Sequence, residues 1–455
     1  MTLPLAAARH VRRLHLDIKR HKIHYFGRRD TQFVLRQTDH DFAVQLKAMG
    51  LLGDRIPVAV SLSCRLGLML AALVNIFLLS VYFALIPLIG WGVYWLTSAH
   101  GRLAAPGLDA LVISFALMLG GSLLKPLVAR PTQATEPHVL DHEEEPLVYA
   151  FVKELASNVG APEPSRIAID CNVNCCCVFA GGIRGLFRPA FDLLLGLPLV
   201  AGLRLDQMAG VLAHELGHAA LTTNIRSNGL IATVNAWFSR VVFEPDKFDQ
   251  HILIRLETAD RGSRLVLHLA QALVQPARGL LWLLMVAACA ASCAVLRRME
   301  LEADRYQVRV AGTEAFISAV LEINLLAVAA QRALVELSRV KREGRLVDNY
   351  PGFVVSLRGR YSPGFAGRLL AALEHGKTRM FSAHPADSDR MAFARRETSQ
   401  GRVRAALPAS ALFAHPDPLC RAVTLDLYKH EFGLSEGSCR LVSYQDVLER
   451  METAP

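Results

Sequence analysis

Charge is scarce in this chain. Only 20% of its 455 residues are Asp, Glu, Lys or Arg, against 52% hydrophobic. A mean hydropathy of +0.28 is high for a soluble enzyme and directs attention to membrane segments. No two cysteines are spaced CxxC, so a structural zinc knuckle is not expected. Cys175, Cys176 and Cys177 are adjacent, and Cys289 and Cys293 lie in an apolar run, which reads as reduced thiols rather than a disulfide framework. Met1 to Asp30 is basic and amphipathic without an apolar h-region, so no cleavable signal peptide is expected. Aromatics are few, at 7%, and do not interleave with the basic residues. The net charge of +9 therefore does not point to nucleic acid. It crowds the first 54 residues, where a positive-inside membrane flank explains it better.

What the chain has in quantity is apolar length. About 31 uncharged residues run from Leu66 to Leu96, more than the ~20 that span a bilayer. Trp91, Tyr94 and Trp95 suit an interfacial belt, and Pro87 marks a kink. A shorter second run, about Ala110 to Leu124, is closed by Lys125 and Arg130. The simplest reading is a transmembrane hairpin over 65–130, after a basic arm at 1–64, with both ends cytoplasmic. A third apolar stretch, Leu265 to Leu296, is interrupted by Gln275, Pro276 and Arg278. Its halves, about 11 and 17 residues, are each short of a span, so a helical hairpin dipping partly into the bilayer or packed on it is expected.

Between these runs the pattern changes. Glu144 to Asn158 has helical periodicity, with Leu147, Phe151 and Leu155 on one face and Gly160 as its stop. Arg166 to Asp170 alternates as a strand, Asn174 to Ala180 continues extended, and Gly181 and Gly182 end it. Leu193 to Leu197 adds an apolar segment. A small sheet, with an edge able to hold a peptide by strand addition, precedes the stretch VLAHELGHAA. There His214 and His218 lie four apart on a proline-free helix, a spacing that lets both imidazoles bind one ion with Glu215 beside it as a base for water. A surface helix with two ordinary histidines is the competing reading.

A catalytic zinc usually has three protein ligands. Glu300 and Asp304 in RRMELEADRY share a helix face and supply a carboxylate ligand and a partner for a liganding imidazole. Glu302 lies about 160° away by helix geometry. An acidic helix end paired with Arg297, Arg298 and Arg305 is the competing reading, and charge pattern alone favours it. Asp348 to Gly367 looks like a loop, broken by Pro351, Gly352, Pro363 and Gly364. The segment 401–455 reads as a tail with a helix from Asp417 to Phe432, where His415 and His430 are surface residues.

HELGH, then ELEAD at Glu300 to Asp304, then HPADSDR at His384 to Arg390, in that order, resembles the HtpX and CAAX-prenyl-protease type of membrane zinc metallopeptidase, peptidase family M-forty-eight, a gluzincin family. The resemblance covers roughly Pro146 to Arg396. It implies an α+β, predominantly helical fold: a zincin-like core with a small sheet over 131–400, anchored by an N-terminal transmembrane hairpin. It implies one Zn2+ per chain held by His214, His218 and Glu300, with Asp304 behind a ligand and Glu215 as general base. His384 and Arg390 match a motif near the family's cleft, where they orient substrate or hold the oxyanion. Asn174, Cys175, Cys176 and Cys177 match its active-site edge strand, with cysteines where small or aromatic residues are usual.

The implied function is a membrane-anchored zinc endopeptidase acting on extended segments of membrane or misfolded proteins. The implied location is a bacterial inner membrane with the site facing the cytoplasm. A catalytically idle scaffold of the same fold is the alternative from another class, weakened because no catalytic position is lost. A prenyl-peptide protease is the third, weakened by the small number of membrane segments. The partners expected are a peptide and the bilayer, not nucleic acid.

Overall fold

The computed structural model describes residues 62–98, 137–179, 190–224, 226–243, 261–379, 382–431 and 439–453, with single positions 113, 116, 120, 123, 124 and 433 between them. The basic arm, most of the second apolar run, Ala180, Gly181 and Gly182 lie outside the described residues.

The first apolar run is one helix, α1 (Leu62–Thr97), with Pro87 inside it. A strand pair and helix follow: β1 (His138–Val139), α2 (Pro146–Val159) and β2 (Arg166–Asp170). Pro146 suits the first turn of α2, where its missing N–H is no loss. Gly160 closes that helix at φ 78°, a left-handed position glycine adopts without strain. Next come β3 (Cys175–Phe179) and β4 (Phe191–Gly196). The sheet order is β1-β2-β4-β3, with β2 and β4 parallel and the other pairs antiparallel. Among the described residues β3 is thus an edge strand, the position that the family resemblance implies for it.

α3 (Leu197–Gly202) leads into α4 (Leu205–Asn224), which carries HELGH. α5 (Arg226–Phe243) follows, then α6 (Arg261–Ala311), a single helix of 51 residues and roughly 76 Å. The hairpin expected at 265–296 is therefore corrected: Pro276 sits inside a continuous helix. The expectation rests on the length of each half, but the two halves form one helix, which packs on α1. The outgoing limb is α5, and all of 265–296 belongs to the returning one. Both pack on α1, where Tyr82, Val234, Phe238, Leu281 and Met285 form a core of their own. Tyr82 also donates to the Leu123 carbonyl at 2.6 Å, tying the second apolar run to the first.

α1 and α6 run antiparallel. Cys64 Sγ lies 3.6 Å from Met299 Sδ, and Asn75, fully buried, donates to Ser292 Oγ at 2.9 Å. Their polar groups thus turn inward, while Leu66, Leu70, Phe77, Trp91, Trp282 and Leu283 face outward. That inversion of the usual arrangement is the one a bilayer stabilises.

The rest of the chain closes the domain: α7 (Thr313–Arg342), β5 (Arg345–Val347), α8 (Tyr350–Gly359), α9 (Pro363–Glu374), α10 (Asp387–Glu397), α11 (Pro416–Glu431), β6 (Arg440–Val442) and α12 (Tyr444–Thr453). The loop expected over 348–367 is two helices. Pro351 and Pro363 start them rather than break them, and the Asn349 and Ser362 side chains accept from first-turn N–H groups. Among the described residues three helices are long and apolar enough to cross a membrane: α1, α6 and α7. α7, however, buries Leu326, Ala329, Ala333 and Leu337 in the main core with the HELGH helix. Residues of the C-terminal segment join that core too, with Cys420, Val423 and Tyr428 buried and β6 paired to β5.

Candidate metal centre

Two helices make the site. α4 and α6 pack closely because Gly217 lacks a side chain: a Cβ there would lie 2.9 Å from the Tyr306 ring and 3.5 Å from Ala303 Cα. The four-residue spacing puts His214 and His218 on one face, with their Nε2 atoms 3.2 Å apart. Glu300, from the facing turn of α6, brings Oε2 to 3.6 Å from His214 Nε2 and Oε1 to 3.4 Å from His218 Nε2. A tetrahedral ion with bonds near 2.0–2.1 Å holds its ligand atoms roughly 3.3 Å apart. Two nitrogens and one carboxylate turned on a common point at these separations fit zinc in both chemistry and spacing.

The surroundings hold the three donors in place. His214 Nδ1 lies 3.0 Å from Asp304 Oδ1, although off the line of a well-aligned hydrogen bond. Asp304 is fully buried and accepts both prongs of Arg390, Nε at 2.9 Å and Nη2 at 2.6 Å. Arg390 is therefore committed to Asp304, which orients His214. His384 Nδ1 reaches Glu300 Oε2 at 3.1 Å while its side chain stays 74% exposed. Its loop is tied down where Arg297 donates to the Ser382 carbonyl at 2.8 Å.

The electrostatics follow from burial opposed by pairing. Burial works against the charged form of His214, but the Asp304 and Glu300 carboxylates, which accept from its ring, outweigh it and raise its pKa to about 9. Burial, aided by neighbouring His214, lowers His218 to about 4. Burial also opposes ionisation of Glu300, yet His214 and His384 hold that carboxyl well below the usual range. For Asp304 the Arg390 guanidinium overcomes burial in the same direction. Glu215 goes the other way: burial raises it, moderated by His214 and the Cys177 N–H.

Glu215 faces the edge strand. Its Oε2 accepts from the Cys177 N–H at 3.3 Å, and its backbone carbonyl lies 3.3 Å from Cys177 Sγ. The Asn174 carbonyl accepts from Gly196 N–H at 2.7 Å and so turns toward β4. Alternation then turns the backbone groups of Cys176 to β4 and those of Cys175 and Cys177 to the free edge, beside Glu215. Burial pushes the thiols of Cys175 and Cys177 up, which keeps them protonated and poor competitors for a metal.

The candidate residues thus come together from four parts of the chain. The acidic-helix-end alternative is resolved by partition: Arg305 pairs with Glu302 and Glu397, on the side away from Glu300. Two further residues escaped the sequence reading. Gln307 and Asn324 line a cavity of about 210 Å³ that opens on His214, Glu215 and Arg390. The available signal was slight: Gln307 lies seven residues after Glu300, on the same helix face.

No curated protein and no solved structure matches the chain. The family model for peptidase family M48 matches residues 144–398, from the start of α2 to the end of α10, and so contains every element of the site. The chain belongs to peptidase family M48.

Proposed function

We propose that the chain is a membrane-anchored zinc endopeptidase that hydrolyses extended segments of membrane or misfolded proteins. The observation that carries this reading is the convergence of His214, His218 and Glu300 on one point, with Glu215 directly beside them.

His214, His218 and Glu300 would hold the ion. A zinc ion there supplies Lewis acidity and lowers the pKa of water. Glu215 removes a proton from the attacking water and later delivers it to the leaving amine, a role its raised pKa suits. The free edge of β3 at Cys175 and Cys177 offers main-chain groups to a substrate in extended conformation. His384, exposed above Glu300, is placed to donate to the developing oxyanion. Arg390 acts through Asp304 on His214 and is a positioning residue. The outward apolar faces of α1 and α6 lie in the bilayer. The site then sits at the end of the bundle where α1 begins, the side of the basic arm, which the positive-inside rule makes cytoplasmic.

The test is hydrolysis of an unfolded protein by the detergent-purified, zinc-loaded chain beside Glu215→Gln. The parent should cleave, and the variant should bind zinc and lose at least about a thousandfold in rate. Full activity in the variant would remove Glu215 from the mechanism. Cleavage of prenylated peptides but not of unfolded proteins would move the substrate assignment to a prenyl-peptide protease.

A further inference from the structure

The cavity beside the site is divided into two kinds of wall. Leu199, Val211, Val320 and Ile323 make an apolar sleeve, and Gln307, Asn324 and Asp387 make its polar part. Gln307 is only 3% exposed as a residue, and its side chain lines the cavity with no hydrogen bond to its amide seen among the described residues. A ligand that fills the cavity desolvates that amide, which costs free energy unless the ligand pairs with it. Its placement is built in: a Cβ at Gly210 would lie 3.1 Å from Gln307 Cγ, so glycine there leaves room for the side chain. Asn324 spends its Nδ2 on the Val320 carbonyl at 2.9 Å and on Asp387 Oδ2 at 3.3 Å, which leaves Oδ1 free to accept.

The charges bordering the cavity offset one another. Asp387 Oδ1 lies 3.9 Å from Arg390 Nη1, and Arg390 is held by Asp304. A carboxylate entering here would meet Asp387 and Glu215. An ammonium would meet Asp387 already shared between Asn324 Nδ2 and Arg390, with the Arg390 cation lining the same cavity. A hydrocarbon would leave the Gln307 amide and Asn324 Oδ1 without partners, the situation that a polar pocket discriminates against most strongly. An uncharged amide on an apolar stem satisfies both walls.

We propose that Gln307 and Asn324 are specificity-determining residues, selecting a glutamine or asparagine side chain next to the scissile bond. The proposal rests on the peptidase reading and adds to it the chemistry of the residue preferred. Binding tests it without turnover. Fluorescent peptides carrying Gln, Asn, Leu, Lys or Glu at each position in turn are titrated onto zinc-loaded Glu215→Gln protein. At one position Gln or Asn should bind about tenfold more tightly than Leu. Adding Gln307→Leu should erase or invert that preference, and adding Gln307→Glu should move it to Lys. Both substitutions are near-isosteric, and unchanged zinc content and Tm check the fold.

A preference for Leu, no peptide binding, or an amide preference indifferent to both substitutions overturns the proposal. Hydrolysis by the parent, run in parallel, separates it from the reading beneath it. Cleavage without amide selectivity discards the pocket assignment alone. Amide-selective binding without cleavage keeps the pocket and discards the hydrolase.

Discussion

The two ends of α6 solve opposite problems on one helix. From Leu280 to Leu296 its polar Ser292 is buried against Asn75 while Trp282 and Leu283 face outward. From Glu300 to Gln307 the acids are inside: Asp304 is fully buried and Glu300 is enclosed by histidines. Burial of a charge is tolerable only with partners, and outward apolar surface only with an apolar solvent. On the proposed membrane-anchored reading, the same helix passes from an apolar-facing stretch to the polar site, with Arg297 and Arg298 at the changeover.

Breaking the inner end should have the largest effect. Asp304→Ala leaves Arg390 buried without its carboxylate, and by analogy with other broken buried pairs should cost about 3–5 kcal/mol, read as a lower Tm in detergent. A loss under about 1 kcal/mol would mean Arg390 finds another partner. Breaking the outer end comes next. Leu283→Lys places a charge on the apolar face, worth about 3 kcal/mol against insertion, and should raise the fraction extracted from membranes by carbonate. Unchanged extraction would put that face in water.

A third prediction sharpens the inner end through pH. In the metal-free chain His214 has its pKa raised to about 9, so at neutral pH it carries a proton that an ion must displace. Zinc affinity should fall about tenfold for each pH unit below 9, with one proton released per ion, measurable by competition with a chelator. The same raised pKa, alone, makes His214 a stabilising group below its unfolded value near 6.5, with that contribution lost as pH climbs to about 9. The smallest effect belongs to neither end. Lys153 and Glu163 form an exposed pair at 3.2 Å, and Lys153→Ala should change stability by under about 1 kcal/mol.

This contrast also explains what the sequence reveals. The HELGH helix, α2, β2 and β3 are legible because period and spacing act locally, within a turn or along one strand. The edge position of β3 and the choice of Glu300 as third ligand come from the family resemblance, since charge pattern alone favours an acidic helix end. The course of 261–311 was not legible. Pro276 and the length of each half imitate a hairpin, and only packing on α1 shows that α5 is the outgoing limb. Pro351 and Pro363 misled for a related reason: proline ends a helix from inside but begins one from its first turn. Arg390 was placed near the cleft by resemblance, and its hold on Asp304 emerged only from three dimensions. Gln307 and Asn324 carried no local signal, since a lone amide in a helix is ordinary until its neighbours are known.

The most direct test of the account is X-ray absorption at the zinc edge on the purified chain. It predicts one zinc per chain with nitrogen and oxygen ligands near 2.0–2.1 Å, and loss of that signal in Glu300→Ala. A shell containing sulfur near 2.3 Å would assign the metal to the Cys175 to Cys177 strand, and no bound zinc would leave His214, His218 and Glu300 as an ion-paired helix contact.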